Sequence, residues 1–534
     1  MKTGFRQSMA WLHTWSGLLA GWILFAVFLT GTASYFRPEI TAWMRPEAYR
    51  AGPPPASAQP MVDALARMAP GGFTLMLPDG RDGMASAYWR EAGAGRRGFR
   101  EAVLDPATGK VVQGRETRGG EFFFRLHFQL HYMSPLWGRW IVSFCAMMML
   151  VAIISGIVTH KRIFADFFTF RPRKGQRSWI DAHAAVATLA LPYHAMITFT
   201  GLVTLMLMLM PWGTQLAYPG DARGFSNEVF GRAAPARPSG RAAPLVAVDP
   251  LLAEASRIWG GAPASRITVS LPGDAAARVE LLRGPAGRLS YQRDALVFDG
   301  ATGAPIAREG MTGGAAATHG TMYGLHLGRF AGPALRALFF LSALAGTAMV
   351  GTGLILWAVK ERQAAAKAGR AGLGLRLVEV LNLATVAGLP AAMAAFFWLN
   401  RLLPAGMAGR AEWEVNGFFL AWGALLLHAT LRLGGRRGWV EQLALGGLLG
   451  LGLPVLNALT GPWHLGVTLP AAEWRLAGLD LVVAALGALL AGAALHLARR
   501  SGQPARKPRG AAPAGGPSER RGMGPVAGHG QAAE

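Results

Sequence analysis

Stretches of about twenty apolar residues recur along the chain, and what separates them changes partway. Runs long enough to cross a hydrocarbon layer of about 30 Å, which takes about 20 helical residues, occupy 10–35, 136–159, 180–211 and 331–358. Four more follow at 376–400, 415–433, 438–459 and 475–497. Long polar segments, 37–130 and 213–325, follow the first and third runs, whereas the later runs are joined by short loops only. The pattern predicts eight membrane-spanning helices, with both polar segments on one side of the membrane.

Each polar segment ends in a related phrase, VLDPATGKVV at 103–112 and VFDGATGAPI at 297–306. The shared V-x-D-x-A-T-G sets apolar residues on either side of a turn-forming Asp and Gly, which predicts a strand, a tight turn and a second strand. The flanking spans repeat as well. His13 precedes Thr30 and Gly31 by 17 and 18 residues, and His183 precedes Thr200 and Gly201 by the same intervals. Arg139 lies 17 residues before Gly156 and Arg336 lies 17 before Gly353, with His131 and His326 ahead of them at spacings that differ by two. Residues 1–360 therefore read as two parallel copies of one unit of helix, small α+β domain and helix, a form of duplication membrane proteins use.

Composition agrees with the spans: 52% of the residues are hydrophobic and 16% charged, a polytopic membrane profile. The formal charge of +23 could point to nucleic acid, but its distribution argues against that. Lys161, Arg162, Arg171, Arg173, Lys174 and Arg177 share one short loop, and Lys360, Arg362, Lys367, Arg370 and Arg376 crowd another. Arg432, Arg436 and Arg437 mark a third, and the Pro/Gly-rich tail from Arg499 is basic too. The positive-inside bias makes these loops cytoplasmic, together with both termini. The tail, 499–534, is expected to be disordered and held near anionic lipid. The first span reads as an uncleaved anchor, because its apolar run is long for a signal peptide and GTASYF is a poor cleavage site. The single cysteine, Cys145, rules out disulfides and covalent C-x-x-C-H haem attachment.

The candidate chemistry lies in the histidines. His13, His131, His160, His183, His194 and His326 fall in or at the edges of the first four runs, with His127 and His319 slightly outside. One such residue could be an interfacial group or an interhelical hydrogen bond, but several ionisable groups at repeating positions in a membrane point to function. On a straight helix the 11-residue step from His183 to His194 turns three circles plus about 20° and rises about 16 Å, so both imidazoles would share a face. That suits two haems stacked across a bilayer, each taking one axial ligand from this helix. A proton pathway would add acidic partners, which spans one to four almost lack. Depth, judged from the basic loops, pairs His13 with His183 at the cytoplasmic side, and draws an outer pair from His194, His131 and His326. His160 is the weakest candidate, since its repeat partner is Trp357. Arg139 and Arg336 suit haem propionates or snorkelling to the interface.

The stretches WLHTWSGLLAGWILFAVFLTGTASYF, FRLHFQLHYM, DAHAAVATLALPYHAMITFTGL and YGLHLGRFAGPALRALFFLSALAGTAMVGTGLILWAVKER together resemble the four helices of the PepSY-associated transmembrane family. The two V-x-D-x-A-T-G segments resemble the ends of its periplasmic PepSY domains. The resemblance covers about 1–360 and implies inner-membrane ferric-siderophore reductases with two b-type haems on histidine ligands. Carried over, it favours His13, His131, His183 and His326, whereas His194 rests on helical geometry. The third helix departs from the usual H-x-x-x-G, with HAAVA in its place.

The expected fold is thus a polytopic α-helical membrane protein: a duplicated four-helix haem-binding bundle, two small periplasmic PepSY-like α+β domains, and four further C-terminal helices. The segments are 1–36, 131–160, 179–212 and 326–360 as spans, 37–130 and 213–325 as domains, 161–178 as a cytoplasmic loop, and 375–498 as the extension. In the extension Asn382, His428, Asp480, Glu412, Glu414 and His464 read as packing or interface groups, with a fused quinone site or docking module as the alternative. The expected function is electron transfer through two haems to a periplasmic acceptor, with iron(III) in a siderophore the favoured one, since reduction weakens its chelation. No side chain then acts as acid, base or nucleophile; axial ligands and burial set the haem potential. With no G-x-G-x-x-G after a strand, no P-loop and no long cytoplasmic loop, the donor is expected to be quinol or a separate reductase. Two other classes stay open: a non-enzymatic PepSY protein that regulates an envelope peptidase or partner, and a siderophore or metal transporter using a histidine relay.

Overall fold

The computed structural model describes residues 4–52, 56–81, 83–91, 98–160, 170–172, 174–221, 224–225, 227–228, 236–285, 287–310 and 313–499. Much of the basic loop at 161–178 and the tail from 500 onward lie outside the described residues, and with them the expectation of a disordered tail.

Proline sets where the helices of the first bundle begin and end. Free of Pro, α1 runs from Phe5 to Ser34. Its hydroxyls are answered within the helix: Thr30 donates to the Ala26 carbonyl at 2.6 Å, Thr32 to Phe28 at 2.7 Å and Ser34 to Thr30 at 2.7 Å, as polar groups in hydrocarbon require. Pro38 lies in the first turn of a short helix α2, Arg37–Met44. The next spans, α5 (Pro135–Thr159) and α10 (Pro333–Lys367), each open on a proline, whose missing N–H costs nothing in a first turn. Each is preceded by a separate short helix, α4 (Gly119–Gln129) and α9 (Gly314–Leu327). The breaks fall at left-handed residues, Leu130 at φ 57° and Gly328 at φ 61°.

The third span is not the straight helix that periodicity predicted. It is α6 (Gln176–Leu189) and α7 (Leu191–Thr204), bent by 68°. Pro192 cannot donate to the carbonyl four residues back, and its ring crowds that carbonyl, so the helix breaks at Ala190 and starts again. The shared face computed for His183 and His194 disappears with the straight axis.

Four more helices follow: α11 (Leu373–Leu402), α12 (Arg410–Leu431), α13 (Arg436–Thr460) and α14 (Trp474–Arg499). Among the described residues seven helices are long and apolar enough to cross a membrane, and up to eight if α6 and α7 cross as one bent span. α11 carries one π turn, Leu383–Ala387. The extension grips α2 through a buried polar network: Asp480 accepts from Trp43 Nε1 at 3.0 Å and from Asn457 at 2.8 Å. Arg401 lies over the Trp43 ring at 3.8 Å and donates to its carbonyl at 2.8 Å. Glu414 is held by Arg410, by Asn400 at 2.7 Å and by Thr117 at 2.5 Å.

The two polar segments do not fold apart as two domains. β1 (Gly72–Met76), β2 (Ala85–Arg90) and β3 (Phe99–Leu104) of the first join β4 (Ala264–Ser270), β5 (Arg278–Arg283), β6 (Asp294–Asp299) and β7 (Pro305–Gly310) of the second. Together they form one seven-stranded sheet, ordered β3-β2-β1-β4-β5-β6-β7 and antiparallel throughout. The seam pairs Phe73 with Val269, Thr74 with Thr268 and Leu75 with Ile267. One face is covered by α3 (Gln59–Met68) and α8 (Val248–Ile258), whose Met61, Val62, Leu65, Val248 and Leu251 share one core with Leu75, Ile267, Val279 and Leu281. The helices are tied across the repeat, Asp249 accepting from Ala58 N at 2.9 Å and Gln59 from Val248 N at 2.7 Å. Fusing the copies hides the two strand edges that separate domains would leave open.

The repeated V-x-D-x-A-T-G forms the predicted turn in both copies, and it leads into a strand, β7, in the second but only into a bridge between Leu104 and Val111 in the first. Asp105 Oδ1 accepts from the amides of Ala107 and Thr108 at 2.9 and 3.2 Å, and Asp299 Oδ1 from those of Ala301 and Thr302 at 3.0 and 2.8 Å. Gly109 and Gly303 close the turns at φ 68° and 76°.

A shared sheet has a direct consequence: Ile267→Ala, at the fully buried seam, should cost about 3 kcal/mol and reduce amide-exchange protection in β1 and β2 as well as β4 and β5. Loss confined to 264–310 would mean two independent units. The turn aspartates add a pH dependence. The Thr302 amide foremost, against some desolvation and helped by the Ala301 amide, holds the Asp299 carboxyl below its ordinary value. Such a group stabilises the fold fully above its unfolded value and loses that contribution as pH falls through the folded one. Stability should therefore drop below about pH 4, and Asp299→Asn should flatten that limb in melts between about pH 5 and 2.

Candidate functional site: two histidine pairs

Four histidines meet as two pairs at opposite ends of the first bundle. Near the start of α1, His13 faces His183 of α6, with ring centroids 6.3 Å apart and planes crossed at 68°. Near the end of α1, His127 of α4 faces His326 of α9 at 6.1 Å, with planes inclined by only 26°. Each ring is tied through Nδ1 to the backbone carbonyl of a neighbouring span. His13 bonds Ala152 at 2.8 Å, His183 bonds Met349 at 2.9 Å, His127 bonds Val27 at 2.7 Å and His326 bonds Ile197 at 3.1 Å. A carbonyl only accepts, so each Nδ1 carries the proton and each Nε2 keeps its lone pair. Metal-ligating histidines are held in this way, the ring orientation and tautomer being set by the second nitrogen.

The duplication is visible in the partners. Val27 stands 14 residues after His13, and Ile197 stands 14 after His183. At 1.5 Å per residue this puts the two pairs about 21 Å apart along α1. A glycine lies against every ring: a Cβ at Gly156 would come within 3.0 Å of His13, at Gly353 within 3.1 Å of His183, at Gly31 within 2.7 Å of His127 and at Gly201 within 3.0 Å of His326. These are the repeated glycines of the sequence, and their role is to let an imidazole lie against helix backbone.

Of the residues singled out from sequence, His13, His183 and His326 are in the pairs, and His131 is not. α4 ends at Gln129, so His131 falls beyond it, exposed, stacked on Phe419 at 5.3 Å and next to Tyr132. Its place is taken by His127. The signal was present twice, as Leu126-His127 and Leu130-His131, and spacing could not choose between them. His127 lies 12 residues before Arg139 and His131 lies 8, while His326 lies 10 before Arg336. The helix end decides.

His194 sits between the pairs, fully buried beside Phe28 at 6.3 Å and Tyr193 at 6.1 Å. It faces no second histidine, and neither ring nitrogen reaches hydrogen-bond geometry. His160 caps the end of α5, one turn beyond Gly156, and is a member of neither pair. Arg336 is spent on Glu39 at 3.0 Å, which Arg81 also holds, so a propionate would have to displace a carboxylate. Arg139 instead bonds Gln129 at 3.1 Å and lies over the ring of Phe128, the residue after His127, at 5.3 Å. Among the described residues no group of three or more His, Cys, Asp or Glu is arranged to hold a metal ion.

The fold and these pairs define a multi-pass membrane protein with a duplicated, histidine-bearing bundle. The chain belongs to the family described as the PepSY-associated TM region, which matches residues 10–360 and so takes in both pairs and the shared sheet. It is also similar to an uncharacterised protein of Pseudomonas aeruginosa, PA4219, at 28% identity over 401 residues, covering 72% of this chain and 96% of that relative. Helices α11 to α14 lie beyond the family match.

The glycines offer a test within one helix. Gly31→Ala pushes His127 off the Val27 carbonyl and should lower stability by about 1–3 kcal/mol through overpacking and the lost bond. Gly17→Ala, in the same helix with nothing within 4 Å, should leave the melting temperature unchanged or slightly raised. Equal behaviour of the two variants would remove the argument for a ring cradle.

Proposed function

We propose that each pair supplies the axial ligands of a b-type haem, and that the protein carries electrons across the bacterial inner membrane to ferric iron held by a siderophore on the periplasmic side. The observation that carries this reading is the spacing within the pairs. A metal bound between two imidazoles at about 2 Å from each nitrogen, with ring radii of roughly 1.2 Å, separates the ring centroids by about 6.4 Å; here they are 6.3 and 6.1 Å apart.

With only two protein ligands at each position, a metal that needs four side chains does not fit. A macrocycle that brings its own equatorial nitrogens does, and with no C-x-x-C-H in the chain it is held without a covalent link. Haem supplies a one-electron iron couple when bound. The protein's part is positional. The Nδ1 bonds to Ala152, Met349, Val27 and Ile197 fix the four rings, and the glycines opposite give them room. His13 with His183 and His127 with His326 would hold the group from both sides, which would suit one-electron transfer better than oxygen chemistry. Arg139 is placed to pair with a propionate at the outer site, formed by His127 and His326; His13 and His183 form the inner one. An iron(III) acceptor agrees with the family resemblance, because hard-oxygen chelation weakens on reduction.

The test is a reduced-minus-oxidised spectrum of the purified protein with pyridine-haem quantification. Two haems per chain are expected, falling to one in His13→Ala, His183→Ala, His127→Ala and His326→Ala, and staying at two in His131→Ala. A folded preparation without haem would overturn the proposal.

A further inference from the structure

Electron delivery to the inner pair has to begin somewhere, and the C-terminal helices contain a cleft suited to it. Between α11, α12 and α13 lies a cavity of about 350 Å³, within the range of small-molecule sites. Its walls are Ala and Leu, and Ala424 and Leu445 at its mouth are exposed on the outer surface of helices long and apolar enough to span the membrane. The cleft therefore opens sideways toward lipid.

Three polar side chains line it, and they are linked. Gln442, 1% exposed, donates to the Leu425 carbonyl at 2.7 Å and to His428 Nδ1 at 3.1 Å, while its Oε1 is buried without a hydrogen-bond partner. His428 in turn donates from Nε2 to Glu441 at 2.8 Å, and Arg432 holds the same carboxylate at 2.7 Å. A hydrogen-bonded chain thus runs from a buried, unanswered acceptor to a carboxylate that reaches the surface.

The cleft is connected to the first bundle. Gly388, against which the Gln442 oxygen lies, directly follows the π turn of α11, and π turns recur at functional sites. At the other end of that turn Asn382, 2% exposed, accepts from Trp22 of α1 at 2.9 Å and donates to the Leu354 carbonyl at 3.0 Å. Leu354 follows Gly353, the glycine against His183.

We infer that this cleft binds a membrane hydroquinone, the electron donor of the inner histidine pair. An apolar slot open to lipid fits a flat ring with an apolar tail, and the Glu441 carboxylate on its wall, held by His428, fits a hydroxyl donor. The inference rests on the haem reading above. In the step, both quinol O–H bonds break and the ring becomes the quinone. The two protons pass in turn to Glu441 and on to water, and the two electrons leave singly, reducing two haem irons from iron(III) to iron(II).

The experiment uses the full-length protein in nanodiscs with a photoreactive azido-quinone, mapping the label by mass spectrometry, and decyl-ubiquinol as reductant in stopped flow. Label is expected on peptides of α11 to α13, reduced at least tenfold in Gln442→Leu and in Ala424→Trp, which blocks the mouth from the lipid side if the first variant folds poorly. Both variants should keep their haem content and their dithionite-reduced spectrum while haem reduction by the quinol slows at least tenfold. Label elsewhere, label insensitive to both variants, or label abolished by excess phospholipid overturns the inference; the last assigns the cleft to an acyl chain. Cleft labelling in protein that holds no haem supports the binding site and overturns the haem reading instead.

Discussion

An imidazole within a membrane bundle can be kept only if its polar edge is answered by the protein, since hydrocarbon offers no partner. Here the answer is the second lone pair of a helical carbonyl, reached because a glycine on the same or a neighbouring turn lets the ring come close. Ala152 and Gly156, Met349 and Gly353, Val27 and Gly31, Ile197 and Gly201 are each four residues apart. One helical turn thus supplies both the hydrogen-bond acceptor and the gap. The same bond fixes the tautomer, orients the ring and sets the distance to its partner, so the geometry of both sites follows from it.

Holding two such pairs about 21 Å apart along one helix requires that the copies of the repeat keep a fixed relation. The sheet does this on one side. Because β1 and β4 pair at the seam, the copies cannot rotate against each other without breaking a ladder of backbone bonds and opening the core around Leu75 and Ile267. The C-terminal helices brace the same assembly through α2, where Trp43 is shared between Asp480 and Arg401. Charged groups buried like this are costly unless paired, and each of them has a partner from a different segment of the chain.

The extension is more than a brace. Among its polar groups one set clamps α2 and another, around Gln442 and His428, lines a cleft between α11, α12 and α13. The π turn of α11 lies between the cleft and the inner pair and meets α1 and α10 through Asn382, so the extension and the bundle are in contact there.

Much of this was legible in order along the chain. Apolar run length gave the spans, because hydrocarbon thickness sets a minimum; repeated His, Gly and V-x-D-x-A-T-G positions gave the duplication; and the pairing of His13 with His183 followed from depth. Three features were decided only by tertiary structure. Pro192 bends the third span by 68° and leaves His194 facing no second histidine, which a uniform 100° rotation per residue cannot foresee. The choice of His127 over His131 depends on α4 ending at Gln129, and both candidates miss the repeat spacing by the same two residues. The two polar segments were each self-consistent as a small domain, and their union into one sheet is invisible locally because strand pairing joins residues nearly two hundred positions apart. The sequence determines which side chains must be buried and at what depth; only packing decides which of them meet, since that depends on helix ends, bends and strand edges set by distant segments.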